Sequence, residues 1–183
     1  GSDGNFIFAV VVLILLGALF GFINGAGVHF MKIPPLVMTL AMASVVDGFT
    51  IFIGKGRPWG KPSPLLLTLG GGRIFIFIRF LVLISIAFII FFTLVLNRTR
   101  YGRKLYLVGN NRSAAVMNGI SVGRTVIFTY IIAGIMYSIA GLFLLSAVGT
   151  AQMQMGAQYT MLSIAAVVLG GTKLSGGEGT YVG

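Results

Sequence analysis

Residues 6–23 read FIFAVVVLILLGALFGFI, an apolar run without a single charged side chain. A helix needs about 20 predominantly apolar residues to cross the hydrocarbon core of a bilayer. This run therefore predicts a transmembrane helix, which we place over residues 6–27. Gly17, Gly21 and Gly25 recur within it every four residues and fall on one helix face. Because glycine has no side chain, this face lets a second helix approach closely.

The rest of the chain has the same membrane-protein character. Of its 183 residues, 57% are hydrophobic and only 9% are charged. An average soluble domain carries about 25% charged residues. Thirteen basic residues stand against three acidic ones, which gives a net charge of +10. The basic residues lie between apolar runs, as expected for the cytoplasmic loops of a membrane protein. We therefore expect no nucleic-acid partner.

The composition also limits the chemistry that the chain can perform. It contains no cysteine and only one histidine. Disulfides, thiolate metal sites and cysteine nucleophiles are excluded, and too few acids remain for most metal or acid–base sites. We therefore expect no catalytic residue, no metal site and no enzyme. A membrane-embedded enzyme remains one alternative hypothesis. Conversion of a substrate by the purified protein and its partners would support it.

Three further apolar segments predict membrane spans, at residues 35–53, 74–96 and 125–148. A shorter run at residues 160–171 ends in glycines and predicts a half-helix. Together these segments predict an all-α, polytopic helical bundle surrounded by membrane lipid. We interpret residues 1–183 as a single transmembrane domain that is truncated at both ends.

One acidic residue lies inside an apolar run. Asp47 shares a helix face with Thr39 and Thr50 because of their spacing. A carboxylate is unfavourable in hydrocarbon, so it should face the bundle interior or water. Thr39, Asp47 and Thr50 are therefore predicted to line a solute path. The alternative is a secondary transporter or channel in which Asp47 is an ion or proton site.

Residues 97–124 are the most polar stretch, with six basic side chains and no acid. This bias predicts a cytoplasmic location, which by parity puts residues 28–32 inside and residues 54–73 and 148–160 outside. Asn110 or Asn111 can cap a short helix in this stretch, and Gly119 can end it. Its small apolar residues are suited to docking in the groove of a partner, and the alternative is a connecting turn that binds nothing.

Two runs in the chain resemble signatures of the ribose-type ABC importer permeases. The first is NRTRYGRKLYLVGNN at residues 97–111, followed by Ala114, Ala115 and NGI at residues 118–120. The second is IAAVVLGGT at residues 164–172, followed by LSGGEGT at residues 174–180. TLAM at residues 39–42 and GKGRP at residues 54–58 also fit the family pattern.

The resemblance implies a permease subunit of about ten helices in the bacterial inner (cytoplasmic) membrane, paired with an identical or different second permease. An extracytoplasmic solute-binding protein would deliver a sugar or a similar small polar solute. A separate ABC ATPase subunit would hold ATP and Mg and drive import, so this chain itself carries no cofactor. The ATPase would dock on a coupling helix. The resemblance assigns this docking to five residues, Asn111, Arg112, Ala114, Ala115 and Gly119.

Overall fold

The protein is described by a computed structural model over residues 3–55, 73–75, 78–172, 177 and 179. Its helices there are α1 (Asp3–Phe30), α2 (Pro35–Gly54), α3 (Phe80–Arg98), α4 (Arg100–Asn110), α5 (Arg112–Met117), α6 (Val122–Val148) and α7 (Ala157–Leu169). A short antiparallel pair, β1 (Arg73–Phe75) and β2 (Ile78–Arg79), precedes α3. The predicted all-α class is confirmed. Most of the predicted outer loop at residues 54–73 lies outside the described residues.

Three of the described helices are long and apolar enough to cross a membrane, namely Phe6–Phe30, Pro35–Gly54 and Val122–Val148. Val82–Arg98 joins Arg100–Asn110 at a bend of 73°, and this pair adds a fourth span if it is counted as one. The helix α3 begins at Phe80, later than the predicted start at residue 74. Residues 74–78 alternate isoleucine and phenylalanine, and such β-branched and aromatic residues favour extended backbone.

The chain divides into two compact units. Unit 1 comprises Gly1–Leu81 and Ile127–Met155, and unit 2 comprises Val82–Val126 and Gly156–Gly183. Unit 1 therefore holds α1, α2 and most of α6. Unit 2 holds α4, α5, α7 and most of α3.

Within unit 1, the glycine face of α1 packs directly on the backbone of α6. A Cβ atom on Gly21 would lie 2.9 Å from the Cα of Ile131, and one on Gly25 would lie 2.8 Å from the Cα of Ile127. The Ser138 hydroxyl also donates a hydrogen bond of 3.0 Å to a backbone carbonyl of α1. The predicted close approach of a second helix is confirmed, and the partner is α6.

The turn between α1 and α2 follows its proline pair. Pro34 occupies the N-cap position with a φ of −53° and Pro35 follows in the first turn. This placement is favourable because the first-turn N–H groups have no intrahelical partner. Beside the turn, a Cβ atom on Gly27 would lie 2.7 Å from the sulfur of Met38, so α1 and α2 are in close contact there.

The surface of the described helices is apolar. Large side chains are exposed along α1, α2, α3 and α6, and the buried hydrophobic residues of the described chain are Val28, Val108 and Ala115. A contiguous apolar surface of this extent is unfavourable in water and is matched by hydrocarbon. The chain is therefore membrane-embedded.

Candidate functional site

A cavity of about 650 Å³ lies within unit 1, between α1, α2, α6 and the residues that follow α6. Its volume is in the range of small-molecule sites, which is about 300–1,000 Å³. The lining is mainly apolar. Its polar side chains are Asn24, Thr39, Thr50, Tyr130, Tyr137, Ser138 and Gln152.

Two of the three predicted path residues line this cavity, namely Thr39 and Thr50. The Thr39 hydroxyl is 3.1 Å from the backbone oxygens of both Pro35 and Leu36, and the Thr50 hydroxyl donates to the Val46 oxygen at 2.9 Å. These bonds use the hydroxyl hydrogens within α2. What each oxygen still offers to a bound molecule is an acceptor lone pair.

The third predicted residue, Asp47, is half-buried on α2 but is not among the side chains that line the cavity. Thr39 and Thr50 therefore both line the cavity, three helical turns apart on α2, whereas Asp47 does not. Within the described part of the chain, no group of three histidine, cysteine or acidic residues is placed to hold a metal ion.

Asn24 is a cavity residue that the sequence reasoning missed. Its amide oxygen is buried and has no hydrogen-bond partner among the described residues. The available sequence signal is an uncharged polar residue next to Gly25, near the end of an apolar run. That signal does not distinguish a cavity residue from one that faces the membrane interface.

The predicted short helix in the basic stretch exists as α5, in unit 2. The Asn111 side chain caps it by accepting a hydrogen bond of 3.0 Å from the Ala114 N–H. At the other end, the Asn118 amide donates to the Ala114 oxygen at 2.8 Å. Gly119 then turns the chain with a φ of +72°, in the left-handed region that favours glycine. Both predicted ends of this helix are confirmed.

The five predicted docking residues do not all reach the surface. Asn111, Arg112 and Gly119 are exposed and Ala114 is half-buried, but Ala115 is completely buried. The exposed apolar side chains of this helix are Val116 and Met117, which are 61% and 88% exposed. Ala115 is therefore not available to a docking partner, whereas the side chains of Val116 and Met117 are.

Before α5 the structure contains α4, a helix that the sequence reasoning did not predict. Thr99 caps it, accepting a hydrogen bond of 3.2 Å from the Gly102 N–H. Tyr101, Leu105 and Val108 form its inner face, with Val108 buried and the other two half-buried. A capping threonine followed by apolar residues at this spacing is the signal of an amphipathic helix. The basic side chains Arg100, Arg103 and Lys104 are exposed.

The two signature runs meet within unit 2. The Tyr106 hydroxyl on α4 donates a hydrogen bond of 2.8 Å to the Gly179 carbonyl. A Cβ atom on Gly177 would lie 2.9 Å from the Cα of Asn110, so only glycine fits at this position. The second signature run thus packs on the helix that leads into α5. Residues 173–176 of that run lie outside the described residues.

The chain matches, over residues 2–183, the protein family described as branched-chain amino acid transport system / permease component. It is 32% identical over 187 residues to the galactose/methyl galactoside import permease protein MglC of Escherichia coli K12, covering 96% of this chain and 54% of that protein. It is 37% identical over 162 residues to the ribose import permease protein RbsC of Bacillus subtilis, covering 87% of this chain and 50% of that protein.

A third relative is the autoinducer 2 import system permease protein LsrD of Salmonella paratyphi B. It is 31% identical over 180 residues, covering 96% of this chain and 54% of that protein. The chain therefore spans about half the length of these curated relatives. No solved structure matches it. The expected resemblance to ribose-type importer permeases is confirmed, and the chain belongs to the family of branched-chain amino acid transport system permease components.

Proposed function

We propose that this chain is part of the membrane-spanning subunit of a bacterial ABC importer for a sugar or a similar small polar solute. The observation that carries the proposal is the exposed apolar tip of α5, formed by Val116 and Met117. This tip stands on a helix that Asn111 caps, in a segment with six basic residues and no acid. Such a segment belongs on the cytoplasmic side, where an ATPase is available as a partner.

The apolar tip has the properties of a docking element. A short helix whose ends are capped keeps its shape, so little conformational entropy is lost when it binds a groove. Ala115 is completely buried, whereas Val116 and Met117 are exposed and can contact a partner. Arg112 adds an exposed positive charge beside them. We propose that a separate ABC ATPase binds this surface.

The remaining assignments are also proposals. The relatives are named as import permeases for galactose, ribose and autoinducer 2, which supports import as the direction and a small polar solute as the cargo. ATP and Mg would be held by the ATPase. A second permease subunit and an extracytoplasmic solute-binding protein would complete the importer in the inner membrane. The ATPase dimer would close on ATP, move the two coupling helices and so rock the membrane bundles.

A photocrosslinking experiment tests the docking surface. A single cysteine replaces Met117 in the complete permease, from which any cysteine outside this chain has been removed, and it is labelled with benzophenone maleimide. Ala115→Cys is the matched control on the same helix, because Ala115 is 0% exposed and Met117 is 88% exposed. Lys55→Cys is the control for the opposite side, since Lys55 is exposed at the end of α2.

In membranes that contain the co-expressed ATPase, we expect Met117→Cys to crosslink to it and both controls to remain free. ATP with vanadate should change the yield, because closure of the ATPase moves the surface that α5 contacts. A transport-competent Met117→Cys protein that gives no ATPase adduct would refute the docking proposal. An adduct from Lys55→Cys alone would refute the topology.

A further inference from the structure

The residues that follow α7 are anchored to it by the way in which the helix ends. The Gly171 N–H donates a hydrogen bond of 3.0 Å to the Val168 oxygen, and the Thr172 N–H donates one of 3.2 Å to the Val167 oxygen. Gly171 has a φ of +83°. Two such bonds around a left-handed glycine form the Schellman motif, a common helix C-terminus. Thr172 is therefore held in a fixed position relative to α7.

Thr172 in turn contacts Gly179. A Cβ atom on Gly179 would lie 2.8 Å from the Cγ2 and 3.0 Å from the Cβ of Thr172. Carbon atoms prefer a separation of about 3.5–4.0 Å, so the Gly179 backbone already lies against the Thr172 side chain. The two ends of residues 172–179 are thus in contact with each other, and Gly179 is attached to the end of α7.

The same glycine-rich run also contacts α4. The Tyr106 hydroxyl donates its 2.8 Å hydrogen bond to Gly179 across 73 positions of the chain. Two residues before Gly179, a Cβ atom on Gly177 would lie 2.9 Å from both the N and the Cα of Asn110. These are backbone atoms, so no side-chain rotation relieves the contact. Asn110 is the last residue of α4 and precedes Asn111, the N-cap of α5. The contact therefore lies at the base of α5.

The junction between α4 and α5 is a single residue that bonds both helices. The Asn111 N–H donates a hydrogen bond of 3.0 Å to the Leu107 oxygen of α4, and the Asn111 oxygen accepts one of 3.0 Å from the Ala115 N–H of α5. Its side chain also accepts from the Ala114 N–H. Because no free linker separates the two helices, a displacement of α5 moves the end of α4 with it.

We propose that residues 172–179 join α5 and α7 into one rigid body, so that a movement of α5 is passed to α7. Both helices belong to unit 2. Tyr106, Gly177 and Gly179 are positioning residues in this arrangement, since they act by holding two helices together. The inference rests on the proposed function, because an ATPase docked on α5 is the source of the movement. It gives the second signature run a role, and it names α7 as the element that receives the movement.

Distances between paired spin labels test the inference. Cysteines replace Ser113 on α5 and Leu169 at the end of α7, in the complete permease without other cysteines, because both side chains are exposed. A second sample pairs Ser113→Cys with Lys55→Cys in unit 1. Pulsed electron paramagnetic resonance is recorded in nanodiscs with the co-expressed ATPase, first without nucleotide and then after trapping with ATP and vanadate. Singly labelled samples identify the distances between subunits.

We expect the distance from Ser113 to Leu169 to be the same in both states and the distance from Ser113 to Lys55 to change. The change shows that α5 has moved, and the constant distance shows that α7 has moved with it. Helix shifts in comparable transitions range from about 1 Å to one helical turn, about 5.4 Å. If both distances change by similar amounts, α5 moves without α7 and the inference is wrong. A trapped complex in which neither distance changes would also overturn it.

Gly177→Ala is expected to separate the two movements. The added methyl meets the backbone of Asn110, whereas the same change at Gly156, just before α7, meets nothing within 4 Å. In Gly177→Ala the distance from Ser113 to Leu169 should differ between the two states. In the matched control Gly156→Ala it should stay constant. A constant distance in folded Gly177→Ala would show that this contact does not join the helices.

Tyr106→Phe is the milder variant and provides the test if Gly177→Ala does not fold. It removes one hydroxyl group and with it the bond to Gly179. Loss of one hydrogen bond changes an equilibrium constant roughly 2- to 10-fold, and the fraction of trapped complexes with an altered distance from Ser113 to Leu169 should rise by this factor. Tyr159→Phe, at an exposed position on α7, should leave that fraction unchanged. Equal fractions in the two variants would argue against the bond as part of the connection.

The crosslink from Met117→Cys separates this inference from the proposed function. An ATPase adduct together with independent movement of α5 and α7 would remove the inference and leave the docking proposal intact. A transport-competent Met117→Cys protein without an ATPase adduct would remove the docking proposal and, with it, the source of the movement.

Discussion

Replacing Gly134 with alanine in the complete permease is expected to weaken the packing of α1 on α6, and the same replacement at Gly141 is not. A Cβ atom on Gly134 would lie 2.9 Å from the carbonyl carbon of Gly17 and 3.1 Å from the Cα of Gly21. These neighbours are backbone atoms, so no side-chain rotation relieves the contact. Around Gly141, on the same helix, a Cβ atom would meet nothing within 4 Å.

The size of the effect follows from these distances. Carbon atoms in contact prefer a separation of about 3.5–4.0 Å, so the two helices must move apart by roughly 0.5–1 Å at Gly134. Overpacking of this kind typically costs about 1–3 kcal/mol. Alanine also has a higher helix propensity than glycine by up to about 1 kcal/mol, but this gain applies at both positions. The difference between the variants therefore isolates the overpacking, about 1–3 kcal/mol.

Equilibrium unfolding of the purified permease in mixed micelles with a rising fraction of SDS, followed by circular dichroism, measures this difference. We expect Gly134→Ala to unfold at a lower SDS fraction than the wild type. Gly141→Ala should unfold at the same fraction or a higher one. Superimposable unfolding curves for the two variants would refute the close approach of α1 and α6.

Three further outcomes are expected. Asn111→Ala removes the cap of α5, which costs about 1 kcal/mol and should speed hydrogen exchange of the first amides of that helix several-fold. Tyr106→Phe removes the hydrogen bond to Gly179 and should destabilise the permease by about 0.5–1.5 kcal/mol, which lowers its melting temperature. The control Tyr159→Phe, at an exposed position, should leave the melting temperature unchanged. Asp47→Asn should leave ATP-driven uptake unchanged and insensitive to an uncoupler, because Asp47 does not line the cavity. Loss of uptake in Asp47→Asn, together with sensitivity to an uncoupler, would instead support a secondary transporter.

The membrane spans were predictable from the sequence because they depend on local composition. Residues 6–27 carry no charge and are long enough to cross a bilayer as a helix. This span is therefore predicted without any information from elsewhere in the chain. The cap of α5 was predictable for a similar reason, since Asn111 bonds an N–H only three residues away. The late start of α3 at Phe80 was missed, because an apolar run alone does not separate helix from extended backbone.

The site was less predictable than the spans. Thr39 and Thr50 lie on the cavity, but Asp47 does not, because sharing a helix face does not say where the edge of a cavity falls. The predicted docking residue Ala115 is completely buried, while its neighbour Met117 is exposed. The helix α4 was overlooked because the many basic residues of this stretch were interpreted as a loop.

The sequence by itself determined that this is a membrane-embedded helical protein, where its glycine face lies and where its short capped helix begins and ends. These properties depend on hydrophobic length, on helical periodicity and on bonds between residues three or four positions apart. Only the tertiary structure decided that the glycine face of α1 packs on α6, that Tyr106 bonds Gly179 and that the Asn24 oxygen is buried without a partner in the described part of the chain. Those contacts join residues far apart in the chain, and burial is a property of the packed helices rather than of any one segment.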